Sequence, residues 1–439
     1  MPPTPTFGSR EGLRYGLLGL PLAFVALPLY VLLPEHYARS FGVPLATLGL
    51  LLLGARVADA LIDPLLGKAI DRLHARGPAA VLAFGSAAAV LLVVAFALLF
   101  FPGLLVDTSS PGAALVATAA VLLVLCYAGY SALGIAHQSW GAMLGGDALQ
   151  RSRIVGWREG MGLVGVVLAS VLPLVAGLGP MVLLFASTLA AGLWAWRQAP
   201  RPEPIAGAQP TDLLRPLSQP AFRRLLGVFV LNGIASAVPA TLVLFFVRDR
   251  LQAPPAMAPA YLGLYFVAAA ASIPLWLRAV PRFGLAATWL AGMALSVLVF
   301  GWAAALGAGD TQAFLAVCAL SGVALGTDLV LPGALLAGVI AQARDAPAAG
   351  AYFGWWNFAT KLNLALAAGL ALPLLGLAGY APGSREPAAL QALTLAYCVL
   401  PCLLKLAAAT ALWLLVMRSG AFGGVAATAN ATASSKALP

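Results

Sequence analysis

Charge is what this sequence has least of. Asp, Glu, Lys and Arg make up 9% of its 439 residues, against about a quarter in an ordinary soluble domain, and a chain so short of charge cannot cover a water-facing surface. Histidine and cysteine are scarcer still. The four cysteines, Cys126, Cys318, Cys398 and Cys402, fall inside apolar stretches with neither a pairing pattern nor metal-ligand spacing. They read as small apolar packing residues, and no metal site is expected. No small-residue cleavage site follows the first apolar segment, which is also too long for a signal-peptide core, so that segment is read as a retained span.

Apolar side chains fill the space instead, at 62% of the total. They gather in runs of about twenty residues, the length that crosses the hydrocarbon core of a bilayer. Such runs are predicted near 13–34, 45–66, 79–101, 113–138, 155–177, 179–197, 224–247, 258–279, 283–306, 312–340, 350–377 and 391–417. The expected fold class is an all-α membrane protein with twelve transmembrane helices. The net charge of +10 sorts by side of the membrane. With both termini cytoplasmic, the inner segments hold Arg10, Arg14, Lys68, Arg72, Arg76, Arg151, Arg153, Arg197, Arg201, Arg215, Arg223, Arg224, Arg278, Arg282, Arg344, Arg418 and Lys436, and the outer ones Arg39, Arg248, Arg250 and Arg385. This is the positive-inside bias of a multi-pass protein, here assigned to a bacterial-type inner membrane, and it explains the basicity without a nucleic-acid partner.

Residues 198–223 are the longest polar interruption, with Pro200, Pro202, Pro204, Pro210, Pro216 and Pro220 among Arg201, Glu203, Asp212 and Arg215. They separate an N-terminal half, 1–197, from a C-terminal half, 224–417, while the Ala-, Thr- and Ser-rich tail 418–439 has too little hydrophobic patterning to order itself. Two six-helix halves joined by a cytoplasmic linker resemble the major facilitator fold, whose halves are related by an axis along the membrane normal. Gly67-Lys68-Ala69-Ile70-Asp71-Arg72, followed by Arg76, resembles the gating loop of that superfamily. Gly67 lets helix and loop pack closely, and Asp71, Arg72 and Arg76 can bridge neighbouring helix ends in one state of the gate.

An ionisable side chain at membrane depth costs several kcal/mol unless paired or hydrated, and by default marks a functional pathway. In the second span Arg56, Asp59 and Asp63 follow at spacings of three and four, which puts them on one helical face. Two carboxylates and one guanidinium leave net negative charge for a cation to balance. Na⁺ and H⁺ both suit such a pair, and the competing reading is a network that only locks helices together. Asp328 in the tenth span, Lys361 in the eleventh with Asn357 one turn before it, and Arg158 beside Glu159 in the fifth complete the buried set. Lys405 in the twelfth span lies within snorkelling reach of an interface and is read as structural.

Around these positions the chain resembles the glycoside–pentoside–hexuronide:cation symporter family. Ala55-Arg56-Val57-Ala58-Asp59-Ala60-Leu61-Ile62-Asp63-Pro64 is similar to the family's second-helix motif, Tyr130 through Trp157-Arg158 to its helix IV to V connection, and Tyr352 through Lys361 and on to Gly379-Tyr380 to its eleventh-helix segment. The resemblance implies that Asp59, Asp63 and Ser131 bind the coupling cation, H⁺ or Na⁺, that Lys361 couples the sites, and that Arg56 and Arg158 act as counter-ions. Ile62 stands where the family motif has an amide residue, and a proton needs fewer ligands than sodium. The sugar-binding aspartates of helices I and IV fall at Pro21 and Gly134, and the helix IV tryptophan at Gln138.

The expected function is secondary active transport of a small solute, a glycoside or related organic compound, by alternating access, with no enzyme activity, no cofactor beyond the coupling cation, and membrane lipid around a functional monomer. Tyr130, Gln138, Trp356, Asn357 and Asp328 are the candidate substrate cavity. Tyr127, Trp140 and Trp355 read equally as cavity walls and interfacial anchors, and His137 as a helix-end hydrogen-bond donor or a proton relay. Two alternatives remain: movement or export of amphipathic, lipid-like molecules, and, remotely, a membrane prenyl transferase using Asp59, Asp63 and Asp71. The spacing of those aspartates does not suit one metal cluster.

Overall fold

The computed structural model describes residues 7–108, 112–203 and 212–418. Part of the linker and the tail expected to be disordered lie outside the described residues. Backbone in hydrocarbon must satisfy its own hydrogen bonds, and the described residues form long helices with no strand. Twelve are long: α1 Ser9–Phe41, α2 Leu45–Ala75, α3 Pro78–Phe100, α4 Ala113–Met143, α5 Ala148–Ala176, α6 Leu178–Arg197, α7 Pro220–Arg250, α8 258–283, α9 285–303, α10 Thr311–Gln342, α11 Ala349–Leu377 and α12 Pro387–Met417. By length and composition, nine apolar stretches among the described residues can cross a membrane, and the stretch Ala258–Ala303 contains both α8 and α9. The two helices outside that set, α2 and α11, hold Arg56, Asp59, Asp63 and Lys361.

Local sequence sets the ends and bends. Pro78, Pro220 and Pro387 open their helices, where the missing N–H would be unpaired in any residue and the fixed φ suits the first turn. Between α8 and α9 the chain bends at Gly284, whose φ of 78° lies where a Cβ is strained. In α1 a π turn over Pro28–Leu32 lets the helix continue past a proline that cannot donate.

The chain forms two compact units. The first comprises Met1–Gly146, Arg153–Pro216 and Ala343–Phe358, the second Asp147–Ser152, Leu217–Gln342 and Ala359–Pro439. The first has a core of Phe24, Phe96 and Phe185 from α1, α3 and α6, with ring centroids of Phe96 and Phe185 4.7 Å apart. Phe246 fills the second, stacked at 4.2 Å on Tyr397 of α12 and packed on Phe314 of α10. Val90, Leu183 and Leu298 point outward and are more than 60% exposed. Such surface is a liability in water and suits lipid.

Candidate functional site

The helical spacing of α2 sets the first site. Asp63 is fully buried and Asp59 nearly so. Ser131 of α4 donates to Asp59 Oδ1 at 2.7 Å, which brings together two of the three residues assigned to the cation. The guanidinium of Arg56 lies 3.3 Å from the centroid of the Tyr30 ring on α1, so cation–π attraction holds part of its charge. Tyr130 on α4 sits within electrostatic reach of Asp59, Asp63, Arg158 and Glu159. Arg158 pairs with its neighbour Glu159 at 2.5 Å. Oxygen ligands from a carboxylate and a hydroxyl, buried beside a second carboxylate, form a hard-donor set suited to H⁺ or Na⁺.

Three neighbours of this site, His137, Trp140 and Trp355, tie helices and linker together. His137 Nε2 lies 2.9 Å from the Tyr15 carbonyl oxygen, and Tyr15 donates back to the His137 carbonyl at 2.9 Å, so this histidine ties α4 to α1. Gln138 beside it is half-buried. Trp140 donates to the Pro200 carbonyl at 2.9 Å and Trp355 to the Leu213 carbonyl at 2.9 Å; both fasten the linker. Trp356 is buried and Asn357 half-buried in the first unit, whereas Lys361, half-buried, belongs to the second.

At the far end of α2, Asp71 is buried. Its carboxylate accepts the backbone N–H of Gly350 at 2.6 Å and of Ala351 at 3.0 Å. These N–H groups belong to the first turn of α11, which has no intrahelical acceptors and carries the positive end of the helix dipole. A Cβ at Gly67 would collide with the Gly350 carbonyl, and one at Gly354 with the Asp63 carbonyl; the two helices cross backbone to backbone, as small residues permit in membranes. Arg72 and Arg76 remain exposed. Asp345, just before α11, takes the linker residue Arg215 at 2.6 Å and the Tyr352 hydroxyl at 3.1 Å.

The second unit holds a charge pair of its own. Lys405 Nζ lies 2.6 Å from Asp328 Oδ2 and 2.7 Å from Asn232 Oδ1, at 5% exposure. The snorkelling expected of Lys405 does not occur: its ammonium turns inward because the Asp328 carboxylate is within reach on α10. Trp289, Asn232 and Ser236 also donate to that carboxylate, at 2.8, 3.1 and 3.2 Å. Asp328 and Lys405 both line a cavity of the second unit.

The sequence pattern described as MFS/sugar transport protein matches residues 14–418. The chain belongs to that family. A member of the MFS/sugar transport family is a multi-pass integral membrane transporter of small-molecule solutes that typically works as a monomer, and not an enzyme, so the prenyl transferase reading falls. No curated protein sequence matches the chain. Solved structures share the fold. A bacterial homologue of the iron transporter ferroportin is 18% identical, with a TM-score of 0.71 over 93% of this chain and 100% of that one. The E. coli fucose:proton symporter is 15% identical, with 0.62 over 92% and 99%. The human organic anion transporter MFSD10 is 19% identical, with 0.62 over 92% and 100%.

Proposed function

We propose that this transporter couples uptake of a small organic solute to entry of H⁺ or Na⁺ across a bacterial-type inner membrane, by alternating access. The observation that carries the reading is the buried Asp59, hydrogen-bonded to Ser131, with Asp63 buried one turn along the same helix. A carboxylate hydrogen-bonded to a hydroxyl, with a second carboxylate buried one turn along, offers hard oxygen ligands to a cation that arrives with the solute. The fold is shared with a fucose:proton symporter, and Ile62 in place of an amide ligand favours the proton. Arg56, on the same helix, serves as a counter-ion when the cation is absent. The solute is a glycoside or related compound; the apolar Pro21 and the bare Gly134, where sugar-binding aspartates stand in the resembled family, favour an amphipathic one.

The test is uptake into proteoliposomes carrying an imposed pH or Na⁺ gradient. Candidate solutes come from a thermal-shift screen of sugars, acids and lysolipids with and without Na⁺, since a ligand bound to the folded state raises its apparent stability. Accumulation that follows one gradient and collapses when it is dissipated is the expected result. Equilibration without accumulation under either gradient would reject coupling.

A further inference from the structure

The second unit contains a cavity of about 270 Å³. An engineered apolar cavity of about 150 Å³ already binds benzene, so this one has room for a ring with a short chain. Its walls include the aromatic Tyr265, Phe266, Phe300 and Tyr397 together with Asp328 and Lys405. The charged pair is held by several donors. Asp328 accepts from Trp289, Asn232, Ser236 and Lys405, four donors that fix its carboxylate. Lys405, by contrast, uses only two of its three N–H bonds among the described residues, on Asn232 and Asp328. A pair meant only to lock helices needs no open donor facing an aromatic cavity.

We propose that this cavity takes an amphipathic monocarboxylate. The acid's carboxylate replaces Asp328 at Lys405 Nζ, its ring or short chain lies among the aromatic walls, and Asp328 takes up one proton as the acid binds. The proposal rests on the transport reading only in calling this acid the solute; binding itself is independent of it. The empty site holds one ammonium and one carboxylate and is neutral. A second carboxylate brought in alone leaves an uncompensated buried charge, and one proton on Asp328 removes it. The proton has a place to sit. Ser236 Oγ lies 3.2 Å from Asp328 Oδ2 and 3.1 Å from the Asn232 carbonyl, so a protonated Oδ2 donates to the hydroxyl while the hydroxyl donates to the carbonyl. The other titratable groups lining the cavity are Tyr261 and Tyr265 on α8, Cys318 on α10, and Tyr397 and Cys402 on α12; α7 and α9 contribute uncharged side chains only.

The experiment is calorimetric titration of the purified full chain with phenylacetate, 3-phenylpropanoate and octanoate, each against its neutral amide, in buffers of different ionisation enthalpy. At least one acid binds at least tenfold tighter than its amide, and about one proton is taken up per acid bound. Asp328→Asn keeps acid binding and loses the proton uptake, because with no carboxylate at 328 the Lys405 ammonium alone offsets the acid's charge. Lys405→Met alone leaves a buried carboxylate unpaired and risks misfolding, so the Asp328→Asn/Lys405→Met double variant, which stays neutral, is the control; it loses the preference for acid over amide. Binding of no acid, equal binding of acids and amides, or an unchanged preference in the double variant overturns the proposal. Wild-type protein that binds an acid but accumulates nothing in vesicles upholds the site while sinking coupled transport; accumulation of a neutral solute with no acid binding does the reverse.

Discussion

At Asp59 and Asp63 one negative charge per side chain is what a coupling cation would answer to, and shape is secondary. Asp59→Asn and Asp63→Asn keep the shape and remove the charge, so each is expected to abolish concentrative uptake in vesicles while leaving insertion and folding intact. Full accumulation by both variants would reject the cation assignment. Ser131→Ala deletes one hydrogen bond to the carboxylate, about 1.5–3 kcal/mol. Because that bond favours the ionised form, a proton-coupled transporter should bind its proton roughly ten- to a hundredfold more tightly, whereas a Na⁺-coupled one loses a ligand and binds its cation more weakly. Selectivity is also set residue by residue. Pro21 and Gly134 offer no side-chain acceptor to a sugar hydroxyl, and losing two charge-assisted bonds weakens binding by about two to four powers of ten. Melibiose uptake at micromolar concentration is therefore not expected. A Cβ at Gly134 would meet nothing within 4 Å, so Gly134→Asp is sterically permitted, and by itself it restores only one of the two partners.

Among elements, the crossing of α2 with the start of α11 has the most specific chemistry. Gly354→Val pushes a side chain into the Asp63 carbonyl, and overpacking of this kind costs about 1–3 kcal/mol. Asp71→Ala strips the acceptor from two buried N–H groups, at about 1.5–3 kcal/mol. Both variants should melt at lower temperature than wild type in detergent, and Arg72→Ala, exposed, should not; equal melting of Asp71→Ala and wild type would show that the contact carries no weight. The sequence made the α2 half of this crossing legible, because Gly67 and Asp71 sit in a motif. Gly350 and Gly354 were missed: two glycines four apart in an apolar run resemble many others, and only the crossing shows what they touch. The partners of Lys405 were hidden for a related reason. Depth along a helix shows only that snorkelling is within reach, whereas Asp328 and Asn232 lie 77 and 173 residues away in sequence. The spacing of Arg56, Asp59 and Asp63, by contrast, is local to one helix, and their shared face was readable before any fold was known.

For the whole molecule, what remains to fix is orientation, and it follows from where the basic residues fall. Cations near the ends of spans resist translocation, so the segments rich in Lys and Arg stay on the cytoplasmic side. The linker carries Arg201, Arg215 and Arg223 and is flanked by Arg197 and Arg224, whereas the segment between α3 and α4 carries Asp107 and no base. With an even number of spans, both termini are expected on the linker's side. Asp107 and Asp212 are both exposed, and the four native cysteines, three buried and one partly so, can be replaced by alanine to give a silent background. In that background Asp107→Cys should react with a membrane-impermeant maleimide added to intact cells, and Asp212→Cys only after the membrane is permeabilised. Labelling of Asp212→Cys from outside would invert the protein. It would leave the proposed direction of coupling unchanged, since the cation gradient runs inward whichever way the chain is threaded.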